Sequence, residues 1–187
     1  MMDRIGPGTF IAVVGPSGAG KDTILRGARG RFAGRPEIVF PTRIITRPEG
    51  DDSEPHLAAT DPEFEAMAEE GAFALHWCAH GLRYAIPAAV DAAIGSGAVV
   101  VANLSRAAIA AARARYARLI VASISVDPTT LRQRLLCRGR ETPRDIDLRL
   151  QRMDAHLLKG DDVITIDNSG EPESAIAALC RCVETEL

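Results

Sequence analysis

The chain has 187 residues, 47% of them apolar and 25% charged, with a formal net charge of -3. That length suits one domain with a proper core, and that balance excludes a disordered chain or a generic nucleic-acid binder with a broad basic face. No apolar run reaches the ~18 residues of a membrane-spanning helix, no signal-peptide pattern opens the chain, and Cys78, Cys137, Cys180 and Cys182 lack C-x-x-C or paired zinc spacing, so the expectation is a cytoplasmic protein with free thiols and no membrane partner.

The segment TFIAVV, 9–14, predicts a buried strand, and KDTILRGARGRF, 21–32, a short helix weakened by Gly27 and Gly30. EIVFPTRII, 37–45, predicts a second strand with Pro41 at an edge or bulge, followed by an exposed acidic loop over 46–56. Asp61 and Pro62 predict the N-cap and first turn of a helix that stops at Gly71. Residues 73–86 predict extended chain turning at Gly81, and 87–97 a helix ending in glycines. AVVVANL, 98–104, predicts a fully apolar strand, with Ser105 able to cap the helix after it. RLIVASISV, 118–126, predicts another buried strand; Asp127-Pro128 and Thr142-Pro143 each open a helix. VITID, 163–167, predicts the last strand and 173–184 a terminal helix. Apolar strands alternating with helices predict an α/β fold with a mainly parallel sheet covered on both faces, whose ligands gather beyond the carboxyl ends of the strands.

GPSGAGKDT, from Gly15 to Thr23, stands between the first strand and the first helix. Gly15, Gly18 and Gly20 allow backbone N–H groups to converge on an anion, Pro16, Ser17 and Ala19 complete the loop, and the helix adds its positive end. Lysine occurs only at Lys21 and Lys159 in this arginine-rich chain. A compact ammonium at Lys21 suits the β- and γ-phosphates of ATP better than a broad guanidinium. The pattern G-x-x-x-x-G-K-[ST] ends here on Asp22 where a hydroxyl is usual. A carboxylate is a harder oxygen ligand for the same Mg²⁺, so Asp22 is expected to bind metal, with helix capping as the plain alternative. Asn103 ends a strand where many such enzymes place a metal-directed aspartate, as though the charge had moved to the loop.

Phosphoryl transfer between phosphorylated substrates needs cations more than a base. Arg134 and Arg138 stand four apart on one helix face and Arg149 on the next helix, with leucines opposite. This pattern fits a lid over about 134–152 that brings charge to the transferring group, or else a solvated hairpin with ion pairs to Glu141 and Asp145.

These motifs, with R-x-x-T-R-P at Arg43–Pro48 and L-x-x-R-L-x-x-R-G at Leu131–Gly139, resemble the guanylate kinase family over nearly the whole chain. Within it, GKD, ITRP, Glu54 and His56, GAFALHWCAHGLRYAIP, N-x-S-R at 103–106 and RGRE at 138–141 are most similar to the ribose 1,5-bisphosphate phosphokinases. The resemblance implies a single P-loop kinase domain over 1–187, with an acceptor-binding insertion at about 43–86. It implies transfer of the γ-phosphoryl of ATP to a small phosphorylated substrate, ribose 1,5-bisphosphate, to give 5-phosphoribosyl 1-diphosphate. Arg43 and Arg47 are then expected on the acceptor's phosphates, with Glu54, His56, His80, Tyr84 and Arg106 as further substrate contacts and Arg83 as a weaker one.

Guanylate kinase remains the alternative, although His56 and Asn103 stand where that family holds the acceptor phosphate and guanine. A non-catalytic scaffold is the reading from another class, and the intact Gly18, Gly20 and Lys21 argue against it. His76, Cys78 and His80 alternate along a strand and invite a zinc reading that lacks a fourth ligand.

Overall fold

The computed structural model describes residues 4–48, 55–139, 142–151 and 158–187. In chain order its elements are β1 (Ile5–Val14), α1 (Lys21–Arg31), β2 (Ile38–Val39), β3 (Arg43–Ile45), β4 (His56–Ala58), α2 (Asp61–Glu69), β5 (Phe73–Ala79) and β6 (Leu82–Pro87). Next come α3 (Ala89–Gly95), β7 (Val99–Asn103), a 3₁₀ turn (Arg106–Ala108), α4 (Ile109–Arg115), β8 (Tyr116–Ser125), α5 (Pro128–Arg138), α6 (Pro143–Gln151), β9 (Val163–Asp167) and α7 (Pro172–Glu184).

A five-stranded parallel sheet in the order β2-β7-β1-β8-β9 forms the centre. Alternation along β1 sorts its side chains. Ile11 and Val13 pack with Ile24 and Ala28 of α1, Leu131 of α5 and Leu179 of α7. Phe10, Ala12 and Val14 pack on the other face with Val90, Ile94 and Ile109. Both faces are covered, so the strands tolerate no charge, and the expected α/β architecture with a mainly parallel sheet is what forms.

A second sheet of four strands, ordered β4-β3-β6-β5, lies beside that face. It is mixed: β4 runs parallel to β3, while β6 runs antiparallel to both β3 and β5. One of its faces, with Ile45, Trp77 and Tyr84, joins the central core; the other, with Ile44 and Ala85, receives Phe64 of α2.

Two local expectations are corrected. The strand predicted over 37–45 is two strands in different sheets, β2 beside β7 and β3 beside β6. Pro41 falls between them, where its missing N–H leaves no ladder bond unmade. The N-cap of α2 is Thr60 rather than Asp61: the Glu63 amide donates to the Thr60 hydroxyl and the Glu63 carboxylate accepts from the Thr60 amide. That reciprocal pair satisfies two orphan donors and outcompetes a cap one residue later. Asp127 and Thr142 cap α5 and α6 as predicted, and Ser105 caps the 3₁₀ turn.

Candidate active site

Because the central strands are parallel, all their carboxyl ends open on one edge. Four residues at that edge follow directly: Gly15 after β1, Asn103 at the end of β7, Asp127 after β8 and Asn168 after β9. The site is built between them.

The loop after β1 bends through residues with positive φ. Gly20 has φ 87°, and a Cβ there would collide with the amide nitrogen of Asn168. Gly18 has φ 96°, and its Cβ would stand 2.7 Å from Cδ1 of Leu131. Left-handed backbone pressed against packed side chains admits glycine alone. Gly20 caps α1 without any side-chain hydrogen bond, so no side chain of its own covers the helix's positive end. Lys21 folds its ammonium back over the loop, donating to the carbonyls of Gly15 at 2.9 Å and Pro16 at 3.1 Å.

Asn168 clamps this loop from the far side. It is 2% exposed, and its Nδ2 donates to the carbonyl of Ala19 at 2.6 Å. A carbonyl only accepts, so the amide nitrogen must face Ala19 and the oxygen is turned the other way. That oxygen is buried without a hydrogen-bond partner among the described residues, as is Nη1 of Arg134. Both residues line a cavity of about 480 Å³, together with Gly18, Gly20, Thr23 and Gln133. A buried acceptor and a buried cationic donor in the wall of one hollow each carry an unmet hydrogen bond.

Across the loop lies a second set of groups. The Asn103 amide donates to the Asp22 carboxylate at 3.1 Å, and the Asn103 carbonyl accepts from Nη1 of Arg43 at 3.5 Å. The Arg43 guanidinium lies over the Tyr84 ring, 5.2 Å from its centroid. His56 is the register partner of Arg43, and its Nε2 donates to the Arg47 carbonyl at 3.3 Å. Arg106 is half-buried, and burial pulls its guanidinium below the ordinary arginine value. A cation desolvated with no carboxylate beside it among the described residues favours an anionic ligand.

Thus Asp22, Arg43 and Tyr84 are joined through Asn103 beside the Lys21 loop, His56 touches the Arg47 backbone, and Arg134 lines the hollow on the loop's other side. Other predicted positions differ. His80 sits exposed at the β5–β6 hairpin tip with φ 53°, followed by Gly81 at φ 74°, and this turn geometry accounts for it without substrate. Arg83 turns to α2, with Nη2 at 2.8 Å from Glu65 and Nε at 3.4 Å from Asp61, which raises its pKa further. His76 contacts the rings of Phe64 and Phe73, and no group of three His, Cys, Asp or Glu side chains able to hold a metal occurs among the described residues. The zinc reading has no geometric basis there. Glu54 and Glu141 lie outside the described residues, as do the side chains of Arg138 and Arg149. The ion pair seen between α5 and α6 is Arg132 with Asp147 at 2.8 Å, while Asp145 accepts from the Thr142 hydroxyl.

Asn168, Thr130, Gln133 and Cys137 are wall residues that the motifs do not point to. Asn168 had a signal: it directly follows β9, at the same strand edge as the other candidates.

No protein-family model matches the chain. Among solved structures, guanylate kinase from Anaplasma phagocytophilum superposes with a TM-score of 0.67 at 14% identity, covering 100% of this chain and 88% of that one. An unliganded sugar kinase from Janibacter sp. HTCC2649 gives 0.50 at 18% identity, over 95% of each chain. These likenesses show the P-loop kinase fold alone. Sequence relatives say more. A Brucella melitensis biotype 2 protein named ribose 1,5-bisphosphate phosphokinase PhnN is 48% identical over 172 residues, 92% of this chain and 90% of its own. The Acidiphilium cryptum protein of that name is 46% identical over 179 residues, 94% of each. With such identity running through both chains almost from end to end, this protein belongs to the ribose 1,5-bisphosphate phosphokinase family.

Proposed function

We propose that this protein transfers the γ-phosphoryl of ATP to the 1-phosphate of ribose 1,5-bisphosphate, giving 5-phosphoribosyl 1-diphosphate and ADP. The observation that carries the reading is the continuous link from the phosphate loop through Asp22 and Asn103 to Arg43, in a chain 48% identical to a named enzyme of that activity. A donor-side anion site and an acceptor-side cation are thereby held next to one another, as in-line transfer requires.

The donor enters the hollow beside the loop. Asn168, in the wall of that hollow, holds the loop in shape through its bond to the Ala19 carbonyl. Lys21 leaves the Gly15 and Pro16 carbonyls for the β- and γ-phosphates, and the amides opening α1 hold the rest. Arg134, in the wall of that hollow, supplies a cation to the transferring group, with Arg138 and Arg149 as further lid cations.

Asp22 is exposed on the first turn of α1, beside the loop. A single carboxylate suits a Mg²⁺ that arrives on nucleotide phosphates and keeps its waters, so the donor set fits that ion. A bound Mg²⁺ would neutralise phosphate charge. Asn103 fixes the Asp22 carboxylate by a hydrogen bond at 3.1 Å.

On the acceptor side Arg43 and Arg47 hold phosphate, His56 orders the Arg47 backbone, and Arg106 supplies a partly desolvated cation. An oxygen of the 1-phosphate attacks the γ-phosphorus, and the bond to the β-phosphate oxygen breaks. The nucleophile is already ionised at neutral pH, so no side chain need act as a base. We assign the segment 43–86 to acceptor binding and 134–152 to a closing lid. The reaction belongs in the cytoplasm, where ATP is abundant and free thiols such as Cys78 and Cys137 persist.

One coupled assay tests this: ribose 1,5-bisphosphate, GMP and other monophosphates are offered in parallel with Mg-ATP. Turnover is expected with the first alone. Faster turnover with GMP would defeat the reading.

A further inference from the structure

We propose that Trp77 is a positioning residue for the acceptor: it fixes the plane of Tyr84, and the Tyr84 ring in turn holds the Arg43 guanidinium flat. The inference rests on the reading that Arg43 receives an acceptor phosphate.

The topology of the small sheet makes the arrangement. Strand β6 lies between β5 and β3, so Tyr84 has a cross-strand neighbour on each side: Trp77 of β5 and Ile45 of β3. Directly opposed residues share a face, and Arg43, two residues from Ile45, shares it too. Trp77 and Arg43 therefore reach the Tyr84 ring from the two strands that flank β6. The Trp77 and Tyr84 rings are 5.6 Å apart between centroids and 6° from parallel, and the guanidinium carbon of Arg43 is 5.2 Å from the Tyr84 centroid. Trp77 is 8% exposed and Tyr84 7%, so both rings are held by the core on which this face packs.

The physical consequence concerns Arg43. A guanidinium on a long flexible stem loses much freedom when it grips phosphate. Laid on a fixed ring, with one N–H directed at the Asn103 carbonyl, it has lost part of that freedom beforehand. The guanidinium carbon sits over the ring, and its N–H groups are what a phosphate would meet. A tilted Tyr84 would rotate those groups. An aliphatic residue at 77 fills space but does not set a plane, whereas a parallel indole does.

Kinetics of Trp77→Leu and Trp77→Phe, with ribose 1,5-bisphosphate and Mg-ATP, test the assignment. Trp77→Leu is expected to raise the acceptor KM about 3- to 10-fold, with the ATP KM and kcat nearly kept, and Trp77→Phe to recover most of the loss. An unchanged acceptor KM in Trp77→Leu overturns the proposal, as does an equal rise in both KM values that phenylalanine does not recover. A second measurement does not depend on the identity of the acceptor. Trp77 is the single tryptophan, so its emission reports on the stack. Titration with inorganic pyrophosphate is expected to change that emission in the wild type and not in Arg43→Gln; flat emission in the wild type overturns the stack. Wild-type protein that ignores ribose 1,5-bisphosphate yet passes the emission test defeats the acceptor reading alone.

Discussion

The side-chain amide of Asn103 donates to the carboxylate of Asp22 at 3.1 Å, joining the end of β7 to the first turn of α1. Asp22 is where the phosphate-loop pattern departs from its usual hydroxyl, and Asn103 ends the strand on which many such enzymes place an aspartate. Their contact means that the pair retains one carboxylate in one small region, carried by the loop instead of the strand. Asp22→Ser should therefore raise the Mg²⁺ concentration for half-maximal activity by about 10-fold or more, and adding Asn103→Asp should restore part of the loss. A magnesium titration of the single and double variants checks this, and an unaltered midpoint in Asp22→Ser would refute it.

Arg43 and Arg47 make a different prediction, because both belong to the segment proposed above to bind the acceptor. Replacing either by alanine removes a charge-assisted phosphate contact, and kcat/KM for the acceptor should fall roughly 10- to 100-fold. The ATP KM should stay near its wild-type value. Equal loss toward both substrates would show that these arginines serve the loop instead.

Gly20→Ala tests the loop's shape. The left-handed backbone at φ 87° disfavours any Cβ by about 1–2 kcal/mol, and the added methyl would displace the Asn168 amide from the Ala19 carbonyl. Unfolding in urea should show lower stability together with a raised ATP KM. A variant that loses stability but binds ATP normally would separate the clamp from the site.

For Arg134 the two readouts should part company. Its Nη1 is buried without a hydrogen-bond partner among the described residues, which disfavours the folded protein before any ligand arrives. Arg134→Met should keep or raise the melting temperature while reducing kcat by about 10²-fold or more. A variant that melts early with kcat intact would mark Arg134 as structural.

How far the sequence could be read depended on whether neighbours in the chain were neighbours in space. The strands of the central sheet are continuous apolar runs, and Asp127 and Thr142 carry their caps within four residues, so those elements were legible. The phosphate loop was legible for the same reason, since its glycines, lysine and helix are contiguous. The small sheet was not: β3 pairs with β6, about 40 residues on, and nothing local shows that Ile44 and Ile45 face different cores. For Arg83 and His80, residue type indicates charge and ring but not direction. The first turns to the acids of α2, and the second occupies a hairpin turn that needs positive φ. Asn168 was missed because its meaning lies in an unmet acceptor and a bond to Ala19, 149 residues earlier, which only coordinates reveal.

The far edge of the sheet supplies a prediction on stability against pH. Asp162, just before β9, accepts two hydrogen bonds at 2.8 Å from Arg113 of α4. Those bonds and the charge of Arg113 hold the Asp162 carboxyl below the usual aspartate value, against a smaller opposing effect of burial. A carboxyl whose pKa is lowered by folding contributes stability that is complete above its unfolded value, ~3.9, and is lost as pH falls through the folded one. Arg113 is 39% exposed, so solvent screens the pair and the contribution is modest. Asp162→Asn should thus be less stable than wild type at neutral pH, and the gap should close as the pH drops below about 4. Paired urea titrations across that range measure it. Because Asp162 stands at the amino end of β9, away from the edge that carries the loop, kcat at neutral pH should not change. A gap independent of pH would mean that the asparagine disturbs packing and that the ion pair is not what stabilises this corner.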